Sequence, residues 1–146
     1  MDQENDEKIL SYAVRLTSRG EYTCMQVLKK LLAKGASDGS AEAICSQLKE
    51  SGMIDDARYC EQFASTHPDL GFARVRMELL KRGVDRTVIE ERLAFDPEVE
   101  LARAVALAME WSSFADGRKI AGRLSRRGFS SSAIRDAVRR ACDDRL

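Results

Sequence analysis

Ile44, Ile89 and Ile134 stand 45 and 45 residues apart, and the chain around each of them repeats one grammar. Four residues after each comes Leu48, Leu93 or Val138, so a whole helical stripe recurs. Upstream of each lies a glycine preceded by a cation: Lys34-Gly35, Arg82-Gly83 and Arg127-Gly128. Leu31, Leu79 and Leu124 stand four residues before those glycines, and Val27, Val75 and Ile120 eight before. A helical period of this length belongs to units that cannot bury their apolar faces alone and stack on neighbours to share a core. The spacing therefore predicts an all-α fold of three tandem three-helix repeats.

The second copy shows the local chemistry best. Across Ala73 to Leu93, Val75, Leu79 and Leu80 form an apolar stripe at helical spacing, while Arg74, Arg76, Lys81 and Arg82 project elsewhere. Gly83 ends this helix, because the residue just past a helix end commonly needs a positive φ that glycine reaches without steric cost. Asp85 is placed to cap the next helix, with Val84 and Ile89 as its hydrophobic staple. The first copy departs once. Gly35 lies 9 residues before Ile44 where the other two gaps are 6, so Ser37-Asp38-Gly39 reads as a surface insertion with Ser40 as the cap.

Taken in order, residues 1–7 read as an acidic tail, followed by repeats over 8–52, 53–95 and 96–146. The first helix is expected from about Asp6 to Ser18, closed by Gly20. The second repeat opens on a helix capped by Asp55 or Asp56 and broken by Pro68. Asp96-Pro97 starts the third with an N-cap followed by proline, a favoured pairing. Val99, Ala102, Ala106, Met109 and Trp111 are expected to form its buried stripe, and Phe129 to staple onto Ile134.

Several function classes are disfavoured by what the residues lack. No apolar run exceeds the six residues Ala104 to Met109, short of a membrane span. The opening MDQENDEK has no apolar core of a signal peptide, so the cytoplasm and no membrane partner are expected. Cys24, Cys45, Cys60 and Cys142 show no paired zinc spacing and His67 is the single histidine, so no metal or other cofactor is expected. With no glycine-rich phosphate loop and no histidine-containing triad, an enzyme is not expected. The acidic pairs Asp55-Asp56 and Glu90-Glu91 read as helix-start residues and a solvated face.

The formal net charge is zero, but residues 1–50, 51–100 and 101–146 carry −1, −4 and +5. The three middle helices, Tyr22 to Lys34, Gly71 to Arg82 and Gly117 to Arg127, hold 3, 4 and 5 cations against Glu78 as their only anion. Helix dipoles explain cations at the C-terminal ends, Lys34, Arg82 and Arg127, but disfavour Lys29, Arg74, Arg76, Arg118 and Lys119 nearer the starts. In the last repeat Lys119, Arg123, Arg126 and Arg127 share one face, read as opposite Ile120 and Leu124. The pattern suits a segmented positive surface for phosphates or an acidic protein. Aromatic residues do not interleave with these cations, so a stacking groove for single-stranded bases is not expected. Residues alone leave a helical-repeat adaptor, or a nucleic-acid-binding protein, with another acidic partner as the alternative.

A Leu-rich middle helix ending in Lys/Arg-Gly, then a capped helix with Ile and Leu, three times over, resembles the RecX regulatory proteins. GMIDDARYCEQF, LGFARVRMELLKRGV and IEERL carry the likeness in the second repeat. YAVRLTSRGEYTCMQVLKKLLAKG and KIAGRLSRRGFSSSAIRDAV fit in the first and third. The resemblance spans roughly Ile9 to Ala141. It implies an elongated, curved solenoid-like array, acting as a monomer on the RecA recombinase. The implied action is to restrain the RecA filament on single-stranded DNA, its ATP hydrolysis and recombination, within DNA repair and the SOS response. The implied contact residues are Lys29, Lys30, Lys34, Arg74, Arg76, Lys81, Arg82, Lys119, Arg123, Arg126 and Arg127, with Gly35, Gly83 and Gly128 as structural turns. Thr66-His67-Pro68-Asp69 stands where relatives often have a basic run, so contact with RecA is expected to outweigh a weak contact with single-stranded DNA.

Overall fold

The structure, a computed structural model, describes residues 2–143. Met1 of the acidic tail and residues 144–146 of the third repeat lie outside the described residues. Among the described residues the chain is all-helical: α1 (Asp2–Arg19), α2 (Cys24–Ala33), α3 (Asp38–Glu50), α4 (Asp56–Thr66), α5 (Phe72–Lys81), α6 (Arg86–Arg92), α7 (Pro97–Trp111), α8 (Gly117–Arg126) and α9 (Ser131–Asp143).

The middle helices α2, α5 and α8 end alike. Gly35, Gly83 and Gly128 adopt φ of 100°, 85° and 86°. Each glycine N–H reaches back to Leu32, Leu80 or Ser125 at 3.0 Å, and the next N–H (Ala36, Val84, Phe129) reaches Leu31, Leu79 or Leu124 at 3.1 Å. This is the Schellman arrangement, which satisfies carbonyls the helix leaves orphaned and brings an apolar residue beyond the glycine onto the last turn. Leu31, Leu79 and Leu124 are all fully buried, and Ala36, Val84 and Phe129 are buried with them. The leucine, glycine and apolar positions repeat because one turn geometry repeats.

Helix starts are set by short polar side chains. Thr23 and Gln26 form a reciprocal capping box at α2, Asp55 accepts the Arg58 N–H, and Asp85 accepts both the N–H and the hydroxyl of Thr87. Asp96 precedes Pro97 at the first position of α7, Asp116 caps α8, and Ser130 accepts the Ala133 N–H. Two boundaries differ from the sequence reading. The first helix starts at Asp2, not near Asp6. Ser37, not Ser40, caps α3 by accepting the Ser40 N–H at 3.2 Å, so Asp38 and Gly39 are its first helical residues. An added segment with a cap at its head lengthens a helix as readily as it lengthens a loop.

The expected stripe of α7 is corrected more sharply. Val99 and Met109 are 47% and 42% exposed and Ala102 and Ala106 are exposed, whereas Glu100, Ala104, Ala108 and Trp111 are buried. An alanine-rich helix is apolar on nearly every side, so periodicity does not choose its face, and a glutamate at the stripe argues against the right one. Leu80, expected in the α5 stripe, is also exposed, at 37%.

The chain forms two compact units, and their borders cut through the second repeat. The first gathers residues up to Gln62 with Leu79–Arg92; the second gathers Phe63–Glu78 with the residues from Leu93 onward. In the first, Ile9, Ala13, Val27, Leu31, Ile44, Leu48 and Ile54 form the core. In the second, Ala104, Ala108, Trp111, Ile120, Leu124, Phe129 and Ala137 do. Each unit holds the seam between one repeat and the next. In the first, the Thr23 hydroxyl donates to the Arg82 carbonyl at 2.6 Å, and Asp56 accepts the Cys24 N–H at 2.9 Å. In the second, the Gly71 N–H donates to the Arg127 carbonyl at 2.7 Å, and Glu100 accepts the Phe72 N–H at 3.0 Å. Both seams solve one problem: a middle helix begins with unpaired N–H groups, the next repeat's middle helix ends with unpaired carbonyls, and carboxylates from the next repeat's first helix satisfy what remains.

Candidate interaction surface

In the first unit Lys29, Lys30 and Lys34 are all exposed on or just beyond α2. The Lys34 Nζ lies 4.8 Å from the Tyr12 ring centroid and the Lys30 Nζ 5.7 Å from that of Tyr22. The two tyrosines, with Arg15, Leu16 and Arg19, line a shallow groove. Lys81 is exposed and Arg82 half-buried at the end of α5, and the Arg82 main chain is committed to the seam with Thr23.

In the second unit the cations divide into two groups. Arg74 pairs with Glu78 at 3.0 Å and donates to the Arg126 carbonyl at 3.2 Å. Arg127 pairs with Asp69 at 2.7 Å and lies 5.2 Å from the Trp111 ring centroid. Both are half-buried and hold the seam. Lys119 and Arg126 are exposed on α8, and Arg76 is half-buried on α5. The Arg123 guanidinium carbon stands 5.5 Å from the ring centroids of both Trp111 and Phe114.

Two expectations are corrected here. The α8 cations do not stand opposite Ile120 and Leu124: Arg123 and Arg127 flank that buried stripe and lie over Trp111, because a residue seven positions from Ile120 returns to its side of the cylinder. And aromatic rings do interleave with the cations, in space rather than along the chain. Trp111 and Phe114 come from the end of α7 and the turn after it, and Tyr12 comes from α1. No local signal in α2 or α8 announces these partners, although the spacing of Trp111 and Phe114 places both rings at one helix end.

Backbone and then side-chain hydrogen bonds from Thr87 hold the Asp85 carboxyl below its usual range, as a capping carboxylate requires. Burial, helped by nearby Cys24, pushes the Cys45 thiol up to about 11, and burial with Asp56 and Glu61 pushes Cys60 to about 11. These are protonated, poorly nucleophilic thiols. His67 bonds the Phe63 carbonyl through Nδ1 at 2.8 Å and stacks on the Phe63 ring at 4.0 Å, a satisfied imidazole at a helix end. Among the described residues no group of three His, Cys, Asp or Glu side chains is arranged to hold a metal ion. No helix of the described residues is long and apolar enough to cross a membrane. The second unit has a cavity of about 190 Å³ between Leu70, Phe72, Val75, Phe95, Val99 and Arg103. The cations and the rings beside them offer electrostatic and stacking recognition.

Residues 55–93 match the family model of the second three-helix domain of RecX. The chain is 33% identical to the regulatory protein RecX of Halorhodospira halophila over 94% of this chain and 91% of that one. It is 28% identical to that of Chlorobium phaeobacteroides over 94% and 96%. Among solved structures it shares the fold of RecX from Lactobacillus salivarius, with a TM-score of 0.83, 22% identity and 99% of both chains covered. A second crystal structure of regulatory protein RecX superposes with a TM-score of 0.78 at 24% identity, covering 91% of this chain and 72% of that one. With a relative one-third identical along nearly its whole length, a matching second domain and the same fold, the chain belongs to the RecX family of regulatory proteins.

Proposed function

We propose that this chain is a non-enzymatic regulator of the RecA recombinase, acting as a monomer in the cytoplasm. It binds the recombinase and its filament on single-stranded DNA and restrains filament assembly, ATP hydrolysis and recombination. The observation that carries this reading is the segregation of charge: α2 and the residue after it present Lys29, Lys30 and Lys34 to solvent, α5 presents Lys81, α8 presents Lys119 and Arg126, and Glu78, the one acid among these helices, is already paired with Arg74. Membership in a regulatory family and the sequence likeness on which the RecA assignment rests support the same reading. The contact set narrows accordingly. Arg74 and Arg127 serve the fold, while Lys29, Lys30 and Lys34 in the first unit and Lys119, Arg123 and Arg126 in the second are the proposed contacts, with Arg76, Lys81 and Arg82 kept as further candidates.

The test mixes the protein with RecA, single-stranded DNA and ATP, and follows filament assembly and ATP hydrolysis. Wild type slows both. Reversing Lys29, Lys30 and Lys34 to Glu, or Lys119 and Arg126 to Glu, weakens the effect and leaves helicity unchanged. Unchanged kinetics at stoichiometric excess of wild type would falsify the RecA reading and leave an adaptor for another acidic protein.

A further inference from the structure

We infer that the corner between α7 and α8 is a stacking site for a base of single-stranded nucleic acid, built from Phe114 and Arg123 on a Trp111 floor. Phe114 is 63% exposed, a larger fraction than any other large apolar side chain among the described residues shows. It is not on a loose segment. Its N–H donates to the Trp111 carbonyl at 3.1 Å and the Ala115 N–H to the same carbonyl at 2.9 Å, so the turn holds the Phe114 backbone against the end of α7. Arg123 stands 5.5 Å from both rings, and Trp111 beneath is 93% shielded from solvent and also met by Arg127.

A lone exposed phenylalanine is ordinary, but this one sits beside the most basic helix of the chain. Between Gly117 and Arg127 there are five cations, Arg118, Lys119, Arg123, Arg126 and Arg127, and no carboxylate. Arg127 is already paired with Asp69 at 2.7 Å, which leaves Arg118, Lys119, Arg123 and Arg126; Asp116 caps α8 by accepting the Lys119 N–H at 2.9 Å, and Glu110 on α7 is exposed. Cations that track phosphates, next to an aromatic face that accepts any base, are the two parts of a sequence-tolerant single-strand site. An acidic protein would satisfy the charges and leave the Phe114 ring without use. This inference extends the proposed function by giving the strand a seat of its own, and it is tested without the recombinase, so either reading can fail alone.

The experiment uses the full chain and three probes: a labelled single-stranded oligothymidylate, an abasic oligonucleotide with the same number of phosphates, and polyglutamate. Anisotropy reports affinity, and the emission of Trp111, the single tryptophan, reports the corner itself. Oligothymidylate binds about tenfold tighter than the abasic strand, in the range that one stacked base confers, and changes Trp111 emission. Phe114→Ala removes that preference with an unchanged melting temperature, and Phe114→Tyr keeps it. Equal affinity of wild type for the two strands, a Phe114→Ala variant that retains the preference, or binding of polyglutamate alone overturns the proposal. The last of these assigns the corner to an acidic protein.

Discussion

The hydroxyl of Thr23 donates to the main-chain carbonyl of Arg82 at 2.6 Å, joining residues 59 apart in sequence. The same oxygen accepts the Gln26 N–H at 3.1 Å, so one fully buried side chain both caps α2 and receives the end of α5. Burial of the Thr23 hydroxyl makes this pair stringent, since losing the donor removes both a cap and a bond across the seam.

Thr23→Val keeps the shape and removes both bonds. The expected cost is about 2 kcal/mol, from a lost cap and an unsatisfied carbonyl. Thr23→Ser keeps the oxygen and recovers most of it. Equilibrium urea unfolding of the two variants measures the difference, and equal midpoints would detach the hydroxyl from the seam.

Gly83 and Gly35 share a left-handed φ but not their surroundings. A Cβ on Gly83 would collide with Cβ and Cγ of Met25, whereas one on Gly35 meets nothing within 4 Å. Gly35→Ala therefore costs only the backbone strain, about 1–2 kcal/mol. Gly83→Ala adds the displacement of Met25 and costs more, and Gly83→Val more again. Thermal melts of the three rank them, and equal losses would mean that the seam yields at Met25.

Glu100 is only 6% exposed and its carboxylate accepts the first N–H of α5. Glu100→Gln keeps an acceptor oxygen and is tolerated. Glu100→Leu strands the Phe72 N–H and destabilises by about 1–3 kcal/mol despite being the more hydrophobic choice. Hydrogen exchange at Phe72, accelerated in the leucine variant and slow in the glutamine one, locates the effect.

The thiols of Cys45 and Cys60 stay protonated in the fold until about pH 11. Unfolded thiols ionise near pH 8.5, so above that pH the native state binds more protons than the unfolded state and stability falls as pH rises. The loss is on the order of 1 kcal/mol per thiol near pH 10. Urea midpoints at pH 8 and pH 10 measure it, and Cys60→Ala flattens the slope. Asp85 works in the opposite direction. Its lowered folded pKa gives stability that is complete above the unfolded carboxylate pKa and lost as acid titrates it, so Asp85→Ala costs stability at neutral pH and little in strong acid.

Much of this architecture was legible because its causes are local. The Schellman turns at Gly35, Gly83 and Gly128 need a buried leucine four residues before and an apolar residue just after, and those residues recur at fixed spacing. The caps at Asp85, Asp96 and Ser130 are equally short-range. Residues alone thus determined the helices, their threefold repetition and the concentration of positive charge on the middle ones.

Tertiary structure decided the rest, through partners far along the chain. The buried face of α7 is chosen by Glu100, which answers an N–H 28 residues away. Arg127 pairs with Asp69 across 58 residues and Arg74 donates to the Arg126 carbonyl across 52, which no count of cations could reveal. Which cations already have partners in the fold depends on distances in space that sequence spacing encodes only within a helix turn or two.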